Sequence, residues 1–71
     1  MLQYLLQVGY RDDREIIGTF QTREKAAAAL MEWCHENYGP VYYTRHWEEN
    51  GEEIIDYGSW GTFGYITKLG N

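Results

Sequence analysis

One helix has to serve a whole sheet, and that is the tightest constraint on what this chain can fold into. Helical spacing occurs once, over Arg23 to Tyr38, and the segments on either side alternate like strands. Thr22 offers its hydroxyl as an N-cap, Glu24 suits the positive end of the helix dipole, and a run of alanines from Ala26 to Ala29 supplies high helix propensity. Gly39 is placed to end the helix in a left-handed turn, and Pro40 forbids continuation. Ala27, Leu30, Met31, Cys34 and Tyr38 fall on one stripe, flanked by Ala26 and Trp33. That face is expected to meet a sheet.

Upstream, Leu2 to Tyr10 alternates, with Leu2, Tyr4, Leu6, Val8 and Tyr10 on its more apolar side. The charged turn Arg11-Asp12-Asp13-Arg14 then leads into Ile16-Ile17-Gly18-Thr19-Phe20. Together these read as an antiparallel hairpin with a polar loop of about four residues. Downstream, Val41 to Trp47 reads as a third strand, Asn50-Gly51 as a tight hairpin turn and Glu52 to Tyr57 as the partner strand. Gly58-Ser59-Trp60-Gly61 reads as a bulge or turn, and Thr62 to Leu69 as the last strand. The expected fold class is α+β: an antiparallel sheet of about five strands packed on one helix, in the order ββαβββ, as a single domain.

A chain of 71 residues has no room for a second core. Its content of 44% hydrophobic and 17% aromatic residues separates it from disordered sequences. Ordering costs about 1.5 kcal/mol per residue, which nearly cancels the burial gain at this size, so small chains often recruit a metal, disulfides or a second copy. The single cysteine, Cys34, excludes an internal disulfide and points to a reducing, cytoplasmic setting. No apolar run approaches a membrane span, and Met1-Leu2-Gln3 starts too abruptly for a signal peptide. Eleven acidic against six basic side chains make a net charge of −5, which disfavours nucleic acid and anionic lipid as direct partners.

A helix of about fifteen residues is roughly 22 Å long and about 10 Å across. Five strands make a sheet some 20 to 24 Å wide, so one helix leaves part of one face and all of the other uncovered. The strands do not turn polar in compensation. Val41, Tyr43 and Trp47 oppose Tyr42, Thr44 and His46, Ile55 and Tyr57 oppose Ile54, and Phe63 and Tyr65 oppose Ile66. Either the sheet curls tightly around the helix while the tyrosines bury their rings and keep their hydroxyls wet, or part of the aromatic face docks against another molecule. Acid is also concentrated: Glu48, Glu49, Glu52, Glu53 and Asp56 occur within nine residues that hold no base. Singly they read as a solvated hairpin tip, and as a group as a local negative field that steers toward a basic groove. The candidate partner-binding residues are these five with Tyr43, Trp47, Tyr57 and Trp60. The partner expected is a protein with a basic surface, or a second copy of the chain.

Catalytic chemistry is not expected. Cys34 and His35 are neighbours about 100° apart on a helix and diverge. With His46 they lack the paired spacing of a zinc site. Gly58, Gly61 and Gly64 recur every third residue, but a strand follows them and Trp60 and Phe63 interrupt them, unlike a phosphate loop. They are expected to permit a bulge and close approach of backbone to bulky rings. No catalytic residue, metal ligand or cofactor site is therefore assigned.

The stretch Ile16-Ile17-Gly18-Thr19-Phe20-Gln21-Thr22-Arg23-Glu24-Lys25-Ala26, with Asp56-Tyr57-Gly58-Ser59-Trp60, resembles small bacteriophage accessory proteins. That resemblance implies a role in infection, and a class of such proteins, the anti-CRISPR proteins, blocks host machinery. The expected function is thus a non-enzymatic inhibitor that occupies the basic groove of a host nucleic-acid-handling complex in the host cytoplasm. The alternative is a self-associating structural or regulatory module with an aromatic homodimer face.

Overall fold

The computed structural model describes residues 2–41, 43–59 and 61–70. The elements run β1 (Gln3–Tyr10), β2 (Asp13–Phe20), α1 (Arg23–Asn37), β3 (Arg45–Glu49), β4 (Glu52–Asp56) and β5 (Phe63–Leu69). The order ββαβββ is the one expected. All five strands join one antiparallel sheet in the spatial order β2-β1-β5-β4-β3. The last strand in sequence is therefore the central one, and it ties the two hairpins together.

Local chemistry explains the boundaries. The Thr22 hydroxyl accepts the Lys25 amide at 3.0 Å, and Gly39 takes φ +105° just beyond the helix, where its amide reaches the Cys34 carbonyl. Asn50 and Gly51 both take positive φ, as a two-residue hairpin turn requires. The first hairpin is tighter than expected. Its turn is Arg11-Asp12 alone, because Asp13 and Arg14 already pair with Tyr10 and Gly9 in the ladder. Gly9 permits this: its φ is +132°, and a Cβ there would lie 2.5 Å from the Asp13 carbonyl oxygen. A bulge then displaces the register between Leu6 and Gln7, leaving Ile17 as the extra residue of β2.

The segment from Val41 to Thr44 is not strand, which corrects the expected extent of β3. Val41 packs against the helix-side core, whereas Trp47 faces the opposite side of the sheet, so no single alternation runs through both. Tyr42, like Trp60, lies outside the described residues.

Leu6, Val8, Ala26, Leu30, Cys34, Ile55, Tyr57 and Ile66 form the core between α1 and the sheet. Complete burial of each larger aliphatic chain is worth about 1.5–3 kcal/mol before entropy is counted. The buried helix row is Ala26, Leu30 and Cys34, so Ala26 lies at its centre rather than its flank. Tyr38, expected on this stripe, is the C-cap residue with φ −124°; the chain has left the helix there and the ring points outward. No described helix is long and apolar enough to cross a membrane.

Gly64 on the central strand lets α1 approach. A Cβ at this position would lie 2.5 Å and 2.9 Å from the two terminal carbons of Leu30, itself fully buried and unable to swing aside. Gly64→Ala should cost about 1–3 kcal/mol in urea denaturation. Gly18→Ala, whose new methyl would sit an ordinary 3.6 Å from Phe20, should change stability by under about 0.5 kcal/mol. Burial pushes the Cys34 thiol up to about 11. The native protein should accordingly resist a disulfide-exchange reagent at pH 8 and react fully once unfolded; rapid native labelling would contradict this placement.

Candidate functional site

Because cross-strand partners share a face, the register separates the two sides of the sheet. Gly64 abuts Leu30 and so marks the helix side. Gln7, Tyr65, Ile54 and Trp47, linked partner to partner, lie on the other side. No helix covers that side, yet Ile54 and Tyr65 are 0% exposed.

Over Tyr65 the cover is an arginine. The Arg14 guanidinium lies over the Tyr65 ring, 3.7 Å from its centroid, and forks onto the two Glu52 oxygens at 2.9 Å each. Its Nε donates to the Arg11 carbonyl, and one Nη also reaches Gln7. Glu52 accepts the Thr67 hydroxyl as well, while the Tyr65 hydroxyl donates to the Gly9 carbonyl. Arg11 forks in the same way onto Glu49, which also accepts the Trp47 indole N–H at 2.6 Å. Edge-on contacts from Trp47 to Phe63 and from Phe63 to Tyr65 complete an aromatic row.

The two hairpin tips occupy diagonally opposite corners of the sheet: Gly9 pairs with the start of β5, and Glu52 with its far end at Thr67. Strand twist brings such corners together on one face, and the two arginine–glutamate pairs hold them there.

The same pairs change the meaning of the acidic run. Glu49, Glu52, Glu53 and Asp56 are bonded to Arg11, Arg14, Arg23 and Arg45. His46 stands 3.4 Å from Glu53. The run is not an open negative field but the inner half of a tertiary ion-pair set. Among the described residues seven carboxylates remain without a salt-bridge partner, against two lysines, which returns the formal −5.

The nine expected partner-binding residues do not converge on one surface. Glu48 is exposed on β3, and Tyr43 is exposed in the segment before it. Trp47, Glu49, Glu52 and Asp56 belong to the far side, Glu53 faces the helix, Tyr57 is buried, and Trp60 lies outside the described residues.

An aromatic surface does form elsewhere, at the C-terminal end of α1. Trp33, Tyr38 and Tyr57 contact one another with centroids 5.5 to 6.3 Å apart. Tyr10 faces them across a notch that Asp13 and Glu15 also border. A Cβ at Gly61 would come within 3.3 Å of the Tyr10 ring, the close approach expected of the glycine-rich turn. Burial pushes the Tyr57 hydroxyl up to about 12, and it donates to Thr62, which donates in turn to Ser59. Tyr10 and Tyr38 were not expected here. Periodicity assigned both to a buried face, but each sits at the end of its element, past the partner that would have covered it. Among the described residues no three His, Cys, Asp or Glu side chains are grouped to hold a metal.

A family model described as a domain of unknown function, DUF7336, matches residues 1–56. The chain belongs to this family. Neither curated proteins nor solved structures yield a match. The matched part of DUF7336 carries both hairpins and the helix, and the central strand β5 follows it.

The ion pairs carry a stability signature. Hydrogen bonds from Arg11 and Trp47 hold Glu49 below the usual carboxylate range; Arg14 does so for Glu52, Arg23 for Glu53, and the Gly58 amide followed by Arg45 for Asp56. The native state thus releases these protons more readily than the unfolded chain. Their contribution is full above the unfolded carboxylate range near about 4 and is lost as pH falls through the lowered native values. Urea midpoints should agree at pH 7 and 5.5 and drop below about pH 4. Arg14→Ala, which uncovers Tyr65 and leaves Glu52 unpaired, should cost about 2 kcal/mol at pH 7 and shrink that acid-dependent drop. Arg11→Ala, at a more exposed pair, should cost clearly less; the reverse ranking would refute the assigned weights.

Proposed function

We propose that this DUF7336 chain is a non-catalytic protein-binding module whose contact surface is the aromatic end of the fold. The observation that carries this reading is exposure. Tyr10 is 57%, Tyr38 59% and Tyr43 75% exposed, in a molecule that folds an arginine over Tyr65. Tyr38 and Tyr43 line two neighbouring cavities that share Gly58 and Ser59, which sets both at the same end of the fold. Tyrosine and tryptophan offer large contact area with a polar handle, which suits the centre of an interface.

The −5 charge selects a partner with a basic surface. A narrower form of the reading is a phage-type, anti-CRISPR-like inhibitor that fills the basic groove of a host nucleic-acid-handling complex in the cytoplasm. The carboxylates open to such a groove are Asp12, Asp13, Glu15 and Glu48 on the hairpins and Glu24, Glu32 and Glu36 on the helix, since Glu49, Glu52, Glu53 and Asp56 are engaged by arginines. A second copy of the chain would meet the same rings but would bring like charge with it.

Capture from a lysate of the native cell tests the reading. Proteins retained by the wild type should be lost by the double variant Tyr38→Ala/Tyr43→Ala, whose thermal melt should stay cooperative and well above the capture temperature although Tyr38 gives up its contacts to Trp33 and Tyr57. Equal retention would overturn the aromatic contact surface. A dimer that survives dilution in sedimentation velocity, and that the double variant abolishes, would put self-association in its place.

A further inference from the structure

Resting on the protein-binding reading, we infer that the notch between the β1–β2 hairpin and the C-terminal end of α1 receives an arginine side chain of the partner. The notch encloses about 310 Å3. Tyr10, Trp33, Tyr38 and Tyr57 line it, and Asp13 and Glu15 belong to the same lining.

Three independent features of this site favour a cation. The faces of aromatic rings carry negative charge density and attract a cation placed over them, by about 0.5–2 kcal/mol depending on how dry the site is. Asp13 and Glu15 have no salt-bridge partner among the described residues, so their charge is available to a newcomer. α1 ends at Asn37, just before Tyr38, and its last carbonyls make the negative pole of the dipole. Arg14 also borders the notch, but its guanidinium is committed to Glu52 and the Tyr65 ring on the far side of the sheet. An anion would meet two carboxylates and the wrong end of a helix. An uncharged apolar group would cover those carboxylates without pairing them.

Shape selects arginine over lysine. A flat guanidinium stacks on a ring while its edge still donates to carboxylates, whereas an ammonium is compact and strongly hydrated. The protein already holds one arginine in this way: Arg14 lies on Tyr65 and forks onto Glu52. The notch repeats that combination of ring face and nearby carboxylate without an occupant from its own chain.

The test is a titration of 15N-labelled protein with a capped tripeptide, acetyl-Gly-Arg-Gly-amide, followed by NMR. Two counterparts accompany it, one with citrulline, the uncharged isostere, and one with lysine. Saturable shifts are expected at Tyr10, Asp13, Glu15, Trp33 and Tyr38, with a dissociation constant on the order of millimolar for a single side chain. Binding should weaken at least tenfold with citrulline and severalfold with lysine. Tyr38→Ala should weaken it about fivefold, and the exposed pair Asp13→Asn/Glu15→Gln should weaken it similarly and flatten its salt dependence. Absent shifts, shifts centred elsewhere, or a citrulline or lysine peptide that binds as well as the arginine one would overturn the arginine site. The two readings fail separately. Captured proteins that depend on Tyr38 and Tyr43 but not on Asp13 and Glu15 would leave the protein-binding reading standing and remove this one.

Discussion

The guanidinium of Arg14, lying on Tyr65 and forked onto Glu52, is the contact on which the rest of this structure leans. It solves the problem created by having one helix for five strands. The uncovered side of the sheet holds Ile54 and Tyr65, both fully buried, and among the described residues no second layer of secondary structure shelters them. Twist carries the two hairpin tips toward each other on that side, and arginine is suited to the gap. Its stem and planar head cover apolar surface as a hydrophobic chain would, and its N–H groups satisfy a carboxylate that would otherwise be costly to half-bury.

This arrangement assigns the two sides of the sheet different means of burial. Toward the helix, small residues and a missing Cβ at Gly64 let Leu30 settle directly on the central strand. On the other side, charge pairs close over rings. The surplus aromatics divide accordingly: Tyr65, Phe63 and Trp47 are engaged within the chain, and Tyr10, Tyr38 and Tyr43 are left facing solvent. The expectation that some rings lack cover inside the molecule therefore holds for Tyr43, but Tyr10 and Tyr38 join it where Trp47 and Tyr57 were expected.

Charge follows the same division. The densest run of acid in the sequence is its most internally satisfied, because each of Glu49, Glu52, Glu53 and Asp56 meets an arginine. Carboxylates that look less prominent in the sequence, at the first hairpin, stand beside the exposed rings instead. The recognition surface we propose would thus combine aromatic area with negative charge at the end of the helix, where the helix dipole has the same sign.

Local chemistry made much of this legible in the sequence. The Thr22 cap, the Gly39 stop, the Asn50-Gly51 turn and the order ββαβββ all rest on interactions between residues a few positions apart, and each took its expected form, whereas the alternation read through Val41 to Thr44 did not. The side of the sheet that curls over itself depends on partners far apart in the chain: Arg11 and Glu49 are 38 residues apart, as are Arg14 and Glu52; on the helix side Arg23 and Glu53 are 30 apart. No spacing rule announces such pairs, because the twist of the whole sheet sets their meeting. Residues at element ends, Tyr10 and Tyr38 among them, were misassigned for a related reason. Periodicity says which way a side chain points while the element continues, but only the packed structure decides whether anything lies opposite.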